Sequence, residues 1–276
     1  MTRTTPDLQL GDHLCVIVGS DEEKAAALAG YVRDGLRDNH RILYYGDPAE
    51  LLDPEWAAAL AAGQLQVTPP ERSYLASGRF DPEATIAGWE QACADARASG
   101  HDGLRVAGDM SWAARPVPGA ERLPWYEAQV NRVFAGGYSM AVCFYDRRLF
   151  TAAQLRGFAC AHPTPRLRMI RTEDPAGLRV QGETDATSRA ALRAVVENLA
   201  DDLPCDETLV IDVSRLRFAD ASAARTLLHP AAVAGRRTRL VGCSPGLRRL
   251  LAFHGADDLP GLTVETGAVL TVESRA

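Results

Sequence analysis

Two groups of residues in this 276-residue sequence have types and spacings that could do chemistry. The first is Gly19-Ser20-Asp21-Glu22-Glu23-Lys24, which follows an apolar run in the manner of a nucleotide-binding loop. A working phosphate loop needs a glycine directly before the lysine and a Ser or Thr directly after it. The glycine lets backbone N–H groups cradle the phosphates, and the hydroxyl holds magnesium. Here Glu23 precedes Lys24 and Ala25 follows it. Both mechanistic parts are missing and the acids would repel a triphosphate, so nucleotide hydrolysis is not expected. No nucleophile elbow, serine–base pair or paired-carboxylate motif stands elsewhere in the sequence.

The second group is His13, Cys15, Asp109, Trp112, Asp146 and His162, each near the end of a predicted strand or helix. In a parallel sheet such ends converge on one cleft. A metal centre would need His, Cys and carboxylate ligands at one point. These six are spread over most of a domain with no shared ligand spacing, so neither a metal nor a cofactor is expected. Two readings stay open. One is an aromatic pocket with a few polar anchors; the other is a plain core, in which His13 and His162 cap local backbone while Trp112, Trp125 and Tyr126 pack. An enzyme with a strand-end site around His13, Asp109, Asp146 and His162 is the rival functional reading.

Strands and helices alternate in the first part of the chain. Apolar runs at 14–18, 41–45, 65–67, 104–107 and 139–145 read as strands. Helices are expected from the Ser20 and Asp21 caps, over 55–62, over 81–99 behind Asp81-Pro82, over 124–134, and from Thr151. This alternation predicts a mainly parallel sheet covered on both faces. His162-Pro163-Thr164-Pro165 breaks the pattern. Beyond it, strands are expected at 167–171 and 178–181 around Asp174-Pro175, at 209–213, at 239–241 and within 262–270. Helices are expected after Asp185 and Thr187, over 222–234 and over 245–253. The fold class is α/β, with domains at 9–165 and 166–276.

Composition sets outer limits. Hydrophobic residues at 46% and charged residues at 24% are those of an ordinary globular protein. A net charge of -6 with no concentrated basic face argues against a nucleic-acid binder. No apolar stretch is long enough to span a membrane, and residues 1–11 lack the apolar core of a signal peptide, which points to the cytoplasm. The six cysteines are scattered without a CxxC pair and read mostly as buried thiols. All 4 Trp and all 7 Tyr precede residue 146, whereas Phe218 and Phe253 are the only aromatics after residue 165. The chain thus has one aromatic half and one built of Ala, Leu and Val.

The motifs of the first half, in order, are Gly11-Asp12-His13-Leu14-Cys15, the run Arg41 to Tyr45, Gly108-Asp109-Met110-Ser111-Trp112, Tyr126-Glu127, Cys143-Phe144-Tyr145-Asp146 and His162-Pro163. Together they resemble the MEDS sensory family of methanogen and methylotroph sensors. The resemblance implies a RecA-like sheet without nucleotide-loop function and a role in sensing small, hydrocarbon-derived ligands. The ligand-binding residues it implies are His13, Cys15, Asp109, Trp112, Tyr126, Glu127, Asp146 and His162.

The second half carries Leu209-Val210-Ile211-Asp212-Val213-Ser214 and Phe218-Ala219-Asp220-Ala221-Ser222. These motifs resemble a STAS domain of the anti-sigma factor antagonist type. That resemblance implies a mixed α/β domain whose partner is an anti-sigma factor or another signalling protein, met around Asp185, Asp220, Ala221 and Ser222. In regulated members a serine directly after the aspartate is phosphorylated by a partner kinase, and the added charge acts as a switch. Here Ala221 holds that position and the hydroxyl comes one residue later. Ser222 is then either a displaced acceptor or a helix cap. The whole reads as a non-enzymatic cytoplasmic signalling protein with no nucleic-acid or membrane partner.

Overall fold

Short apolar runs separated by capped helices build the first part of the chain. The order is β1 (His13–Val18), α1 (Asp21–Arg37), β2 (His40–Tyr45), α2 (Ala57–Ala61), β3 (Leu65–Thr68), α3 (Pro82–Ala98), β4 (Gly103–Asp109), α4 (Leu123–Gln129), α5 (Asn131–Phe134), β5 (Ser139–Asp146) and α6 (Ala152–Ala161). The computed structural model describes residues 8–233 and 235–267. The chain divides into two compact units, Met1–Thr164 and Pro165–Ala276.

In the first unit the strands form one sheet in the order β1-β5-β4-β2-β3, with every pairing parallel. Successive side chains of a strand point to opposite faces, so the unit has a core on each side. Leu43, Leu104, Val106, Ala141, Cys143 and Tyr145 face α3, α4 and α6. Ile42, Tyr44, Ala107, Met140, Val142 and Phe144 face α1 and α2. The helix starts follow local chemistry: the Ser20 side chain accepts from the Glu23 N–H, Asp81 from the Ala84 N–H, and Thr151 forms a reciprocal capping box with Gln154.

The helix expected over 124–134 is two helices, α4 and α5. The Asn131 side-chain amide donates to the carbonyls of Glu127 and Ala128, at 2.8 and 3.0 Å, competing with the backbone ladder at that turn. Trp125 is also not a core residue. It is 42% exposed, with the Arg122 guanidinium over its ring.

The second unit runs β6 (Leu167–Glu173), β7 (Ala176–Thr184), α7 (Arg189–Asp202), β8 (Leu209–Ala219), α8 (Ala221–Ala232), β9 (Thr238–Val241), α9 (Pro245–Phe253) and β10 (Leu262–Val264). Its sheet has the order β10-β9-β8-β7-β6, antiparallel only between β6 and β7. The inner face of α7 (Leu192, Val195, Val196 and Leu199) is buried, as its spacing predicts. Two helix starts differ from expectation. Asp220, not Ser222, caps α8, accepting from the Ala223 N–H at 2.8 Å. Asp185 closes a turn before α7, accepting from the Thr187 N–H, and Ser188 is the residue that precedes the helix. The last expected strand ends at Val264; residues 268–270 of that prediction, and residue 234 of the predicted α8 range, lie outside the described residues. Among the described residues no helix is long and apolar enough to cross a membrane.

Ile42 is wholly buried between the sheet and α1. Ile42→Ala is expected to destabilise the first unit by about 2–5 kcal/mol through lost burial and the cavity left behind. Urea unfolding followed by tryptophan fluorescence reads this directly, because every tryptophan lies in that unit.

Candidate functional site

The eight residues implied as ligand contacts separate into three places. Register decides the first division. His13 opens β1 opposite Ala141, whereas Asp146 closes β5 opposite Val18. Five residues of strand, about 16 Å at 3.3 Å per residue, lie between these levels. Asp109 closes β4 beside Phe144, at the same end as Asp146. No single centre can therefore use His13, Asp109, Asp146 and His162 together.

At the carboxyl ends of the strands an ionic network takes up the polar groups. The Lys24 ammonium lies 2.8 Å from Asp109 Oδ2 and 2.6 Å from Glu50 Oε1, and the Tyr44 hydroxyl donates to Glu50. Burial works against the Lys24 ammonium, but its hydrogen bonds to Asp109 and Glu50 outweigh this and hold its pKa above the usual lysine value. The Arg148 guanidinium clamps Asp146, with Nε 2.9 Å from both carboxylate oxygens, and also reaches Asp21. These bonds hold the Asp146 carboxyl below its ordinary range. Lysine and acids here satisfy one another, so the loop that lacks phosphate-binding parts also lacks a free ammonium.

On the α4 side of the sheet, His13, Glu127, Cys143 and His162 converge. Their potential ligand atoms all lie within 4.8 Å of one another, and all four residues are buried. Glu127 Oε2 is 3.3 Å from His13 Nε2 and 3.4 Å from His162 Nε2. Cys143 Sγ is 3.5 Å from His13 Nε2 and 4.0 Å from Glu127 Oε2. Four elements contribute: His13 opens β1, Glu127 lies on α4, Cys143 on β5, and His162 follows α6. Cys15 is the register partner of Cys143 and packs on the same face, but it is not one of the four.

Hydrogen bonds determine how the imidazoles face this point. His162 Nδ1 lies 2.8 Å from the Phe158 carbonyl, which can only accept, so Nδ1 carries the proton. Asn131 Nδ2 donates to the carbonyls of Glu127, Ala128 and Ala161, which leaves its Oδ1 to accept from His13 Nδ1 at 3.2 Å. Burial takes His13 down to about 3 despite that bond, and burial together with the neighbouring His13 takes His162 down to about 4. Burial thus favours the neutral form of both rings, whose Nε2 atoms face Glu127. Burial raises the Glu127 carboxyl, opposed by His162 and by the Tyr145 hydroxyl, which donates to Oε1 at 2.5 Å. Burial, with Glu127 nearby, pushes the Cys143 thiol up as well.

A family model described as "MEthanogen/methylotroph, DcmR Sensory domain" (MEDS) matches residues 12–163, more than half of the chain. The chain belongs to the MEDS family. A second model, "Mlab, STAS domain", matches residues 168–264, after the MEDS domain. A comparison with curated proteins finds no match. Among solved structures, the crystal structure of flagellar accessory protein FlaH from Methanocaldococcus jannaschii matches at 13% identity with a TM-score of 0.37. That match covers 59% of this chain and 72% of the other.

Aromatic residues of the MEDS domain form the third place. Trp112 and Tyr126 are buried, and Trp112 stacks on Tyr74 with ring centroids 5.5 Å apart. Trp89 Nε1 donates to the Tyr126 hydroxyl at 2.7 Å. In front of them Tyr45, Tyr74 and Trp89 line a cleft of about 340 Å³ with Asp81, Thr85 and Ser77. Tyr45 stacks on Trp89 at 4.9 Å. The sequence reading named the buried backing of this cleft and missed its lining. Tyr45 ends a strand, and Trp89 sits at helical spacing from Ile86 and Cys93, so each reads as core until the cleft is seen.

In the STAS domain, Asp185 and Asp220 follow Thr184 and Ala219, which are register partners on β7 and β8. They therefore come to one end of the sheet, with Ala221 and Ser222 beginning α8. Ser222 also lines a groove of about 450 Å³ with Arg189, Arg193, Arg225 and His229. Phe218, two residues before the Asp220 cap, is 53% exposed. The sequence reading missed the arginines because helical charges ordinarily mark a solvated face.

Asn131 joins α4, α5, the residue before His162 and the His13 ring. Asn131→Asp would put a carboxylate against carbonyl oxygens in a buried place. It is expected to destabilise the MEDS domain by about 3 kcal/mol or more, seen as a lowered thermal midpoint. An unchanged midpoint would remove Asn131 from its organising role.

Proposed function

We propose that this protein is a non-enzymatic cytoplasmic signalling protein. Its MEDS domain binds a small ligand in the Tyr45–Tyr74–Trp89 cleft, and its STAS domain binds a regulatory protein of the anti-sigma type. The observation that carries the reading is the order of the two family matches, a sensory domain followed by a STAS domain in one chain. The chemistry of each half supports it. The cleft is aromatic with a few hydroxyl and carboxyl anchors, which suits a small, largely apolar molecule. The groove beside Ser222 presents Arg189 and Arg225, with Arg193 paired to Glu197 in the same lining, and the neighbouring Phe218 is an exposed aromatic anchor. Arginine and aromatic residues are the groups that dominate protein interfaces, and this groove suits an acidic partner segment. Signalling then requires the ligand and the partner each to distinguish the same two states of the chain, so that each strengthens or weakens the other's binding by one common factor.

Titration with short-chain hydrocarbon derivatives is expected to change tryptophan fluorescence saturably, and Trp89→Phe should abolish most of that change. A flat response across the series would remove the sensing half of the proposal. Capture from a bacterial lysate should recover an anti-sigma or kinase-like protein. Arg193→Glu combined with Arg225→Glu should lower the recovery by about tenfold or more, and equal recovery would displace the interface from this groove.

The usual STAS acceptor position is silent, because Ala221 has no hydroxyl. Ser222 sits one residue further along α8, with its side chain in the arginine groove. Intact-mass measurement after incubation with STAS-directed kinases is expected to give the unmodified mass; a single added phosphate lost in Ser222→Ala would show the displaced acceptor in use.

A further inference from the structure

We infer that His13, Glu127, Cys143 and His162 form a closed four-ligand site for a divalent transition metal, with zinc the ion it suits best. This goes beyond the sensing proposal, which rests on a different cleft. Hydrogen bonds do not satisfy every member of the cluster. His13 Nε2, His162 Nε2 and Glu127 Oε2 meet at one point with the Cys143 thiol, a weak donor. His162 Nε2 has no hydrogen-bond partner although it is wholly buried. A buried ring nitrogen without a partner is costly, and a cation at the common centre of the four would satisfy it together with the other three donor atoms.

Distances and charge both agree with this assignment. Zinc bonds of about 2.0–2.1 Å to nitrogen or oxygen and about 2.3 Å to sulfur put neighbouring ligand atoms of a tetrahedron about 3.3–3.6 Å apart. Three of the separations here are 3.3, 3.4 and 3.5 Å. The widest, within 4.8 Å, needs to close by about 1 Å. On binding, Cys143 and Glu127 coordinate as thiolate and carboxylate, and any proton either carried goes to solvent. The 2+ ion with one thiolate, one carboxylate and two neutral imidazoles then sums to zero, as a site with no solvent exposure requires. One thiolate and two imidazoles disfavour magnesium or calcium, which take oxygen ligands. Four protein donors leave no open position, the pattern of a structural rather than a catalytic zinc.

The surroundings of the four ligands complete the argument. Each histidine donates its other ring N–H to a fixed acceptor, the Asn131 Oδ1 or the Phe158 carbonyl, and the Tyr145 hydroxyl holds the second oxygen of Glu127. Such outer partners orient ligands and raise their basicity. Asn131 also bonds the backbone at Glu127 and Ala161, so one side chain braces three of the four ligand positions. Metal binding would tie the start of β1 to α4, β5 and the end of α6.

The test uses the full chain without an affinity tag. After growth with zinc and dialysis, elemental analysis should find about one zinc per chain, and X-ray absorption should show one sulfur and three nitrogen or oxygen neighbours. Cobalt added to the metal-free chain should give tetrahedral d–d bands and a thiolate-to-cobalt charge-transfer band. Cys143→Ser should lose the charge-transfer band, while Cys160→Ser, outside the cluster, keeps it. Tyr145→Phe, which removes only the hydroxyl on Glu127, should weaken zinc binding by about 10–100-fold. Three results would each overturn the assignment: no zinc and no cobalt spectrum in the natively folded chain, a sulfur-free or sulfur-rich zinc shell, or an undiminished charge-transfer band in folded Cys143→Ser. If Cys143→Ser does not fold, the absorption spectrum of the unaltered chain decides by itself. None of these measurements depends on a ligand in the aromatic cleft, so sensing and metal binding can fail separately.

Discussion

Burial of both faces of a parallel sheet is the constraint on which the MEDS domain depends. With helices on either side, each residue of β4 and β5 is assigned to one of two cores by its parity along the strand. Cys143 and Tyr145 fall on one side, and Val142 and Phe144 on the other. The polar groups on the first side are buried, so their partners must come from one another or from a bound ion. His13, Glu127, Cys143, His162 and Asn131 are what that requirement produces here. The break between α4 and α5 belongs to the same arrangement, since the Asn131 amide takes carbonyls that would otherwise serve the helix.

The ends of the strands carry a different chemistry from the core. In open α/β sheets the crevice beyond the carboxyl ends is the usual ligand site. Here Lys24, Glu50 and Asp109 neutralise one another, and Arg148 holds Asp146 and Asp21. The ligand-sized concavity lies where β2 ends at Tyr45, in front of the aromatic core at Trp89, and the polar convergence lies beneath the sheet near the start of β1.

The STAS domain solves a different problem with fewer resources. Its core is aliphatic, and Asp185, Asp220 and the arginine groove lie on its surface. The Asp220 side chain is committed to capping α8, an interaction of the order of 1 kcal/mol, which leaves Ser222 to face the groove instead of the helix end. The arginines of α7 and α8 supply the charge there.

Much of this was legible in the amino-acid sequence. Strand positions, the caps at Ser20, Asp81 and Thr151, the change in aromatic content and the order of the two families all follow from local pattern, because capping and side-chain alternation act within a few residues. The absence of a working phosphate loop was legible for the same reason, since its parts are contiguous. Sequence singled out His13, Glu127 and His162 but grouped them with Asp109 and Asp146, and it passed over Cys143 as a core thiol between Val142 and Phe144. The register of β1 on β5 decides which of these meet: five residues of strand separate the two groups, and one step of parity turns Cys143 toward Glu127. Neither register nor facing is a property of any short segment. They are fixed only when helices packed on both sides of the sheet force every side chain to choose a core.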